Sequence, residues 1–161
     1  MNVYESAVYN TAVNNEVPGS VALLIVAQAK HESSNFTSKV FLQNNNAFGY
    51  KYVGQSGAVQ GTAAPASEGG YYAKYDSVED SALEVVNWWK RRIRQGVISD
   101  WSDINTTETY AAALKKAGYY GDSLSNYTAA LKKWFTGLDL GQETGFVSIA
   151  ALLFITYWLF K

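Results

Sequence analysis

Among the titratable residues of this 161-residue chain, one carboxylate is set apart by the residues before it. Glu32 closes the run VALLIVAQAKHE, which is apolar nearly all round for two turns and becomes polar only at Gln28, Lys30, His31 and Glu32. That pattern predicts a helix through the middle of a core. A carboxyl carried to the end of such a helix, beside a cleft, stays protonated to higher pH than usual. A general acid that donates to the leaving oxygen of a glycosidic bond needs that property. Position alone leaves a second reading open, a solvated glutamate at a helix end. His31 is the only histidine and cysteine is absent. Disulfides, thiolate nucleophiles and histidine-rich metal sites therefore have no material here. No Ser/His/Asp order, metal-ligand spacing or phosphate-cradling glycine loop is present either, so neither a metal nor a cofactor is expected. Successive helical side chains point about 100° apart, which disfavours a direct His31–Glu32 pair.

The length suits one domain with an appendage. Val3 to Val13 can form a short helix; a turn at Pro18 and Gly19 follows, and Ser20 is a good N-cap for the Glu32 helix. From Asn44 to Tyr75 the composition shifts to Gly, Asn, Ser, Ala and Tyr. Alternation at Ala58, Val59 and Tyr71 to Tyr75 suits a small β lobe or a long loop. Ser77 with Asp80 is a capping-box variant opening an amphipathic helix to about Gln95, stopped by Gly96. Thr106 or Thr107 caps another helix to Ala117, closed by Gly118, and a last one covers Leu124 to Thr136. The expected fold is α+β and mainly α, with a catalytic domain at 1–136 and a linker, GLDLGQET, at 137–144.

The stretch GFVSIAALLFITYWLF carries no charge before Lys161. About sixteen residues at ~1.5 Å reach ~24 Å, close to the ~30 Å hydrocarbon slab. Tyr157 and Trp158 suit an interface belt. A membrane-anchoring helix at 145–161 is expected, with a buried terminal helix as the alternative. The opening MNVYESAVYN has no basic region ahead of an apolar core and does not look like a secretory signal. Twelve tyrosines and five tryptophans are spread along the chain; such rings fill cores, stack on sugars or line membrane interfaces. Lys90, Arg91, Arg92 and Arg94 cluster on one helix, as do the Lys115/Lys116 and Lys132/Lys133 pairs, and solvated faces are the default for them. A DNA-associated membrane protein using the arginine-rich helix is one alternative, but a net charge of −1 gives no global pull toward nucleic acid, and no such partner is expected.

Four segments, AQAKHESSNF, NNNAFGYK, YDSVEDSALEVVNWW and YAAALKKAGYYGDSLSNYTAAL, occur in an order and spacing that resembles the glucosaminidase domain family of peptidoglycan hydrolases, which includes flagellar-rod hydrolases, autolysins and phage lysins. The family blocks read approximately AQAxLESGWG, NNLFGIK, YDSxExS and AGYATDPxYA, and the resemblance covers about Val21 to Leu131. It implies a lysozyme-like fold with a small β lobe and cleavage of the β-1,4 bond between N-acetylglucosamine and N-acetylmuramic acid in peptidoglycan. It makes Glu32 the catalytic general acid and places Asn46, Phe48 and Gly49 at the cleft floor. Tyr75 matches the tyrosine of the YDS block, Tyr119 that of the AGY block near the acid and substrate, and Tyr127 its later partner. Each of these tyrosines is either a substrate contact or a core aromatic. The sequence departs from the family where ESGWG becomes ESSNF and where ATDP becomes YGDSLS.

Between Gly49 and Tyr75 the one acidic residue is Glu68. It is either the base that activates water in an inverting hydrolysis or a solvated loop residue. Without it, Glu32 acting alone implies a lytic transglycosylase. A wall-binding or structural membrane protein that has lost activity is the reading from another class. An enzyme acting on the wall but anchored at 145–161 in a lipid membrane fits a bacteriophage, with the protein in the virion, in a virion membrane, or used in lysis.

Overall fold

The computed structural model describes residues 1–138. Helix α1 (Val3–Asn14) opens on a reciprocal cap, in which the Asn2 side chain accepts from the Glu5 backbone while the Glu5 carboxylate accepts from the Asn2 N–H. Helix α2 (Gly19–Glu32) follows. Its start corrects the expected Ser20 cap. The chain enters through Pro18, whose ring sets φ at −56°, so the helix begins two residues earlier, without a side-chain cap. Val21, Leu24, Ile25 and Val26 are fully buried, as the apolar run requires. Each such side chain contributes roughly 1.5–3 kcal/mol by leaving water. Helix α2 is therefore the axis of the core, with α1 and α6 packed on it. A buried ion pair between Lys30 of α2 and Glu5 of α1 fixes the two helices in register.

Helix α3 (Lys39–Asn44), capped by Ser38, is one short turn that the sequence pattern does not predict. Strands β1 (Val59–Ala63) and β2 (Tyr71–Lys74) form an antiparallel hairpin with Val59 opposite Lys74 and an irregularity between Gln60 and Ala63. Helix α4 (Val78–Arg94) begins at the expected Ser77 cap, which accepts from the Asp80 N–H. It buries Val78, Ala82, Val85, Val86 and Trp89 and packs on α1. A 3-10 turn at Trp101–Ile104, also unpredicted, leads to α5 (Thr107–Lys116), capped by Thr106, and α6 (Leu124–Phe135), capped by Ser123.

Among the described residues no helix is long and apolar enough to cross a membrane. This corrects the expected fold, which included an apolar membrane helix. The apolar helix that is present, α2, has 14 residues, about 21 Å of rise against a slab of ~30 Å. The longer α4 is strongly amphipathic and ends in three arginines. The described fold is the mainly helical body with its two-stranded sheet. The segment at 145–161, and with it the expected contact with a lipid membrane, lies outside the described residues, as does most of the 137–144 linker.

Candidate functional site

Glu32 is the last residue of α2, and its carboxyl, largely withdrawn from water, faces a cleft of about 360 Å³. Phe48, Tyr50 and Lys51 line one side, and Trp88, Arg92 and Tyr119 the other. Burial raises Glu32 above the ordinary carboxylate range, against the opposing effect of a hydrogen bond from Tyr127. The Tyr127 hydroxyl donates to Glu32 Oε1 at 2.6 Å, across 95 residues of sequence. Burial, followed by the charge of Glu32, pushes Tyr127 far upward, so it remains a neutral donor. Its ring is stacked on Tyr120 at 3.8 Å and receives the edge of His31 at 5.2 Å. Beneath this pair runs a buried chain: Trp89 Nε1 donates to the Tyr110 hydroxyl (3.0 Å), which donates to Gln28 Oε1 (2.6 Å). Gln28 lies one helical turn before Glu32, on the same face.

Three consecutive asparagines hold the β lobe against the helices. Asn44 donates to the Thr62 hydroxyl (2.8 Å) and accepts from the Thr62 N–H (3.0 Å). A Cβ on Gly61 would lie 2.3 Å from Asn44 Oδ1, so only glycine lets β1 approach this closely. Asn45 donates to the carbonyls of Tyr75 and Asp76, both at 3.0 Å. Asn46 donates to the carbonyls of Tyr50 (2.8 Å) and Ala73 (2.9 Å) and accepts from the Tyr50 N–H (3.0 Å). Both ends of its amide face inward, so Asn46 shapes the cleft floor and does not project into the cleft. Phe48 and Gly49 do line it.

The tyrosines separate by position. Tyr119 lines the cleft, but its hydroxyl donates to the Phe48 carbonyl at 2.8 Å, which joins the two walls. Gly118, at φ 74°, closes α5 and turns Tyr119 toward the cleft. Tyr127, read from the sequence as either a substrate contact or a core aromatic, is the residue that touches the acid. Tyr75 is buried in the core and pushed up to about 12 by that burial. Glu68 lies at the hairpin tip, exposed, and does not line the cleft. Lys51, which does, holds it at 2.7 Å. The Lys51 hydrogen bond keeps Glu68 below the ordinary carboxylate range, and so ionised. Among the described residues no group of three or more His, Cys, Asp or Glu could hold a metal ion.

A family model, Glucosaminidase, described as mannosyl-glycoprotein endo-beta-N-acetylglucosaminidase, matches residues 8–140. The chain belongs to this family. It is a glycoside hydrolase. Among solved structures, a chain of a type VI secretion system effector-immunity complex from Pseudomonas protegens matches with a TM-score of 0.54 at 20% identity, over 83% of this chain and 89% of that one. The catalytic domain of the autolysin Auto from Listeria monocytogenes matches with a TM-score of 0.48 at 22% identity, over 84% and 85%. The first of these supports the fold. No curated protein matches.

Membership in the glucosaminidase family gives the ESSNF departure a structural meaning. Ser34, Asn35 and Phe36 have φ of 51°, 58° and 63°, so the backbone is left-handed where ESGWG supplies glycines, at the positions of Ser34 and Phe36. Each such residue costs roughly 1–2 kcal/mol. The turn is held by Ser33, whose hydroxyl donates to the Ala29 carbonyl (2.6 Å) and accepts from the Phe36 N–H (2.8 Å). The Phe36 ring is buried against Tyr4 at 5.5 Å and Phe41 at 5.3 Å. The turn after the acid thus forms without the glycines of ESGWG, anchored by an aromatic ring. Sequence reasoning missed Tyr50, Lys51, Trp88 and Arg92 as cleft residues. For the last two a signal existed: their i, i+4 spacing puts both on one face of α4, and the Arg92 guanidinium lies over the Trp88 ring at 4.6 Å.

Proposed function

We propose that this glucosaminidase cleaves the β-1,4 glycan strands of bacterial peptidoglycan, with Glu32 as the general acid. The observation that carries the reading is the Tyr127–Glu32 hydrogen bond inside an aromatic-walled cleft, at the end of a buried helix. Burial favours the protonated carboxyl, and Tyr127 holds one of its two oxygens, which leaves the other to donate. Protonation of the leaving oxygen breaks its bond to the anomeric carbon and leaves Glu32 as a carboxylate that Tyr127 stabilises. Tyr50, Trp88 and Tyr119 give the cleft aromatic walls against which sugar rings can pack. The four ordered blocks that resemble peptidoglycan hydrolases support this polymer as the substrate.

In hydrolysis a water adds to the anomeric carbon and a base takes its proton. Glu68 has the ionised state that role needs and is tethered to the cleft through Lys51. A second course is favoured by one observation: among the described residues Glu32 is the one carboxylate lining its cleft. In that course the Glu32 carboxylate removes a proton from a hydroxyl of the sugar itself, whose oxygen bonds to the anomeric carbon and yields an anhydro end without consuming water. The test is mass spectrometry of muropeptides released by wild type, Glu32→Gln and Glu68→Gln. Loss of all products in Glu32→Gln is expected, and undiminished release by that variant refutes the reading. A reducing end that disappears in Glu68→Gln assigns the base, and an anhydro end unaffected by it assigns the one-carboxylate course.

A further inference from the structure

Tyr50 and Trp88, which line the cleft that holds Glu32, face more than that cleft. These two residues and Lys51 also line a second, larger cavity of about 740 Å³ between α4 and the loop at 53–57, a size within the roughly 300–1,000 Å³ of small-molecule sites. Its chemistry differs from that of the cleft. Helix α4 presents Glu84, Asn87, Arg91 and Arg94 to it at i, i+3 and i+4 spacing, and Lys51 faces it from the β lobe. Arg91 and Arg94, two members of the basic run expected to be a solvated face, thus line a cavity that shares Tyr50, Lys51 and Trp88 with the cleft. Arg91 already holds a carboxylate, that of the largely buried Glu84, at 2.8 Å. Arg94 enters no salt bridge among the described residues. Within the cleft itself the Nε of Arg92 is buried without a hydrogen-bond partner among the described residues. With Arg91 held by Glu84 and Lys51 by Glu68, Arg94 is the cation of this cavity that has no salt-bridge partner among the described residues.

We propose that this cavity is a subsite for a carboxylate carried on a substituent of the glycan, with Arg94 as its principal partner and Lys51 and Asn87 beside it. A neutral polysaccharide has no use for this charge. A strand whose alternate sugars carry acidic substituents does, because the substituent leaves the strand sideways while the sugars lie over Trp88 and Tyr50. The inference rests on the reading of the Glu32 cleft as the glycan-cleaving site, and it specifies which part of the substrate lies outside that cleft. In peptidoglycan the carboxylate comes from one of two sources, the lactyl group of an unsubstituted muramic residue or the peptide attached to it.

The test is equilibrium binding to Glu32→Gln protein, with the ligands checked for cleavage after each titration, so that failure of the Glu32 reading shows as cleaved ligand and failure of the subsite shows as unchanged affinity. Three soluble oligosaccharides of equal length are compared: peptide-bearing strands, the same strands stripped of peptide by an amidase, and chitooligosaccharides without any carboxylate. Adding Arg94→Gln is expected to weaken the carboxylate-bearing ligands about fivefold and leave chitooligosaccharide binding unchanged, whereas Arg94→Lys retains most of the affinity. Weakening of the stripped strand alone assigns the lactyl carboxylate, weakening of the peptide-bearing strand alone assigns the peptide, and weakening of both shows that the subsite takes a carboxylate from either source. The proposal is overturned by unchanged affinity for both strands, or by equal weakening of all three ligands.

Discussion

Replacing Tyr127 by phenylalanine isolates the contact on which the catalytic reading depends. The ring stays, and with it the stack on Tyr120 at 3.8 Å and the edge contact with His31, so the fold is expected to persist. What disappears is the 2.6 Å hydrogen bond to Glu32 Oε1. A hydrogen bond to a charged group is worth about 1.5–3 kcal/mol, and partial access of water to the cleft places this one near the lower end. That bond favours the ionised carboxyl and opposes burial. Its loss therefore shifts the balance toward the protonated form by about tenfold, since each pH unit corresponds to 1.36 kcal/mol. Activity of a general acid falls as the acid deprotonates, so the basic limb of the kcat/KM profile should move toward alkaline pH by about one unit. The rate at the optimum should fall severalfold, because the carboxyl loses its orientation. The assay is the pH dependence of peptidoglycan cleavage by wild type and Tyr127→Phe, with thermal melting to verify folding. A basic limb that stays in place, or moves toward acid, refutes the assignment of Glu32 as a general acid tuned by Tyr127.

Three further outcomes follow from the same structure. Because burial raises Glu32 in the folded state, its stabilising contribution is complete below the ordinary carboxylate range and is lost as pH rises through its folded pKa; Glu32→Gln should thus melt progressively higher relative to wild type between pH 4 and pH 7, and a constant difference counts against the burial argument. Lys30→Ala leaves Glu5 buried and unpaired, and urea unfolding should show a loss of about 3 kcal/mol, whereas Lys51→Ala, at the exposed Glu68 pair, should change stability by less than about 1 kcal/mol. Ser34→Gly relieves a left-handed residue at φ 51° and should stabilise by up to about 1 kcal/mol in the same measurement, after the greater chain entropy of glycine is subtracted.

The helices α2, α4, α5 and α6 were legible because their signals are local. An apolar run or an amphipathic period, with Ser77 or Thr106 before it and Gly96 or Gly118 after it, lies within one segment of chain. The six-residue α3 and the 3-10 turn were not legible, because so few residues carry no period. The same division runs through the site. The sequence singled out Glu32 by the burial of the helix before it, and grouped Tyr119 and Tyr127 near it by resemblance. It could not tell which hydroxyl meets the carboxylate, since that depends on how α6 docks on α2. The docking gives the contact to Tyr127 and turns Tyr119 to the Phe48 carbonyl.

The amino-acid sequence by itself determined the element that bears the acid and the family blocks around it, because each is written in neighbouring residues. Tertiary structure alone decided that Asn46 braces the floor, that Tyr75 belongs to the core, and that Glu68 is held at the rim by Lys51. It also decided that the arginines of α4 line a cavity. Those outcomes turn on which faces of separate elements meet, and on how burial and opposite charge act across the gap between them. No property of the neighbouring residues encodes that.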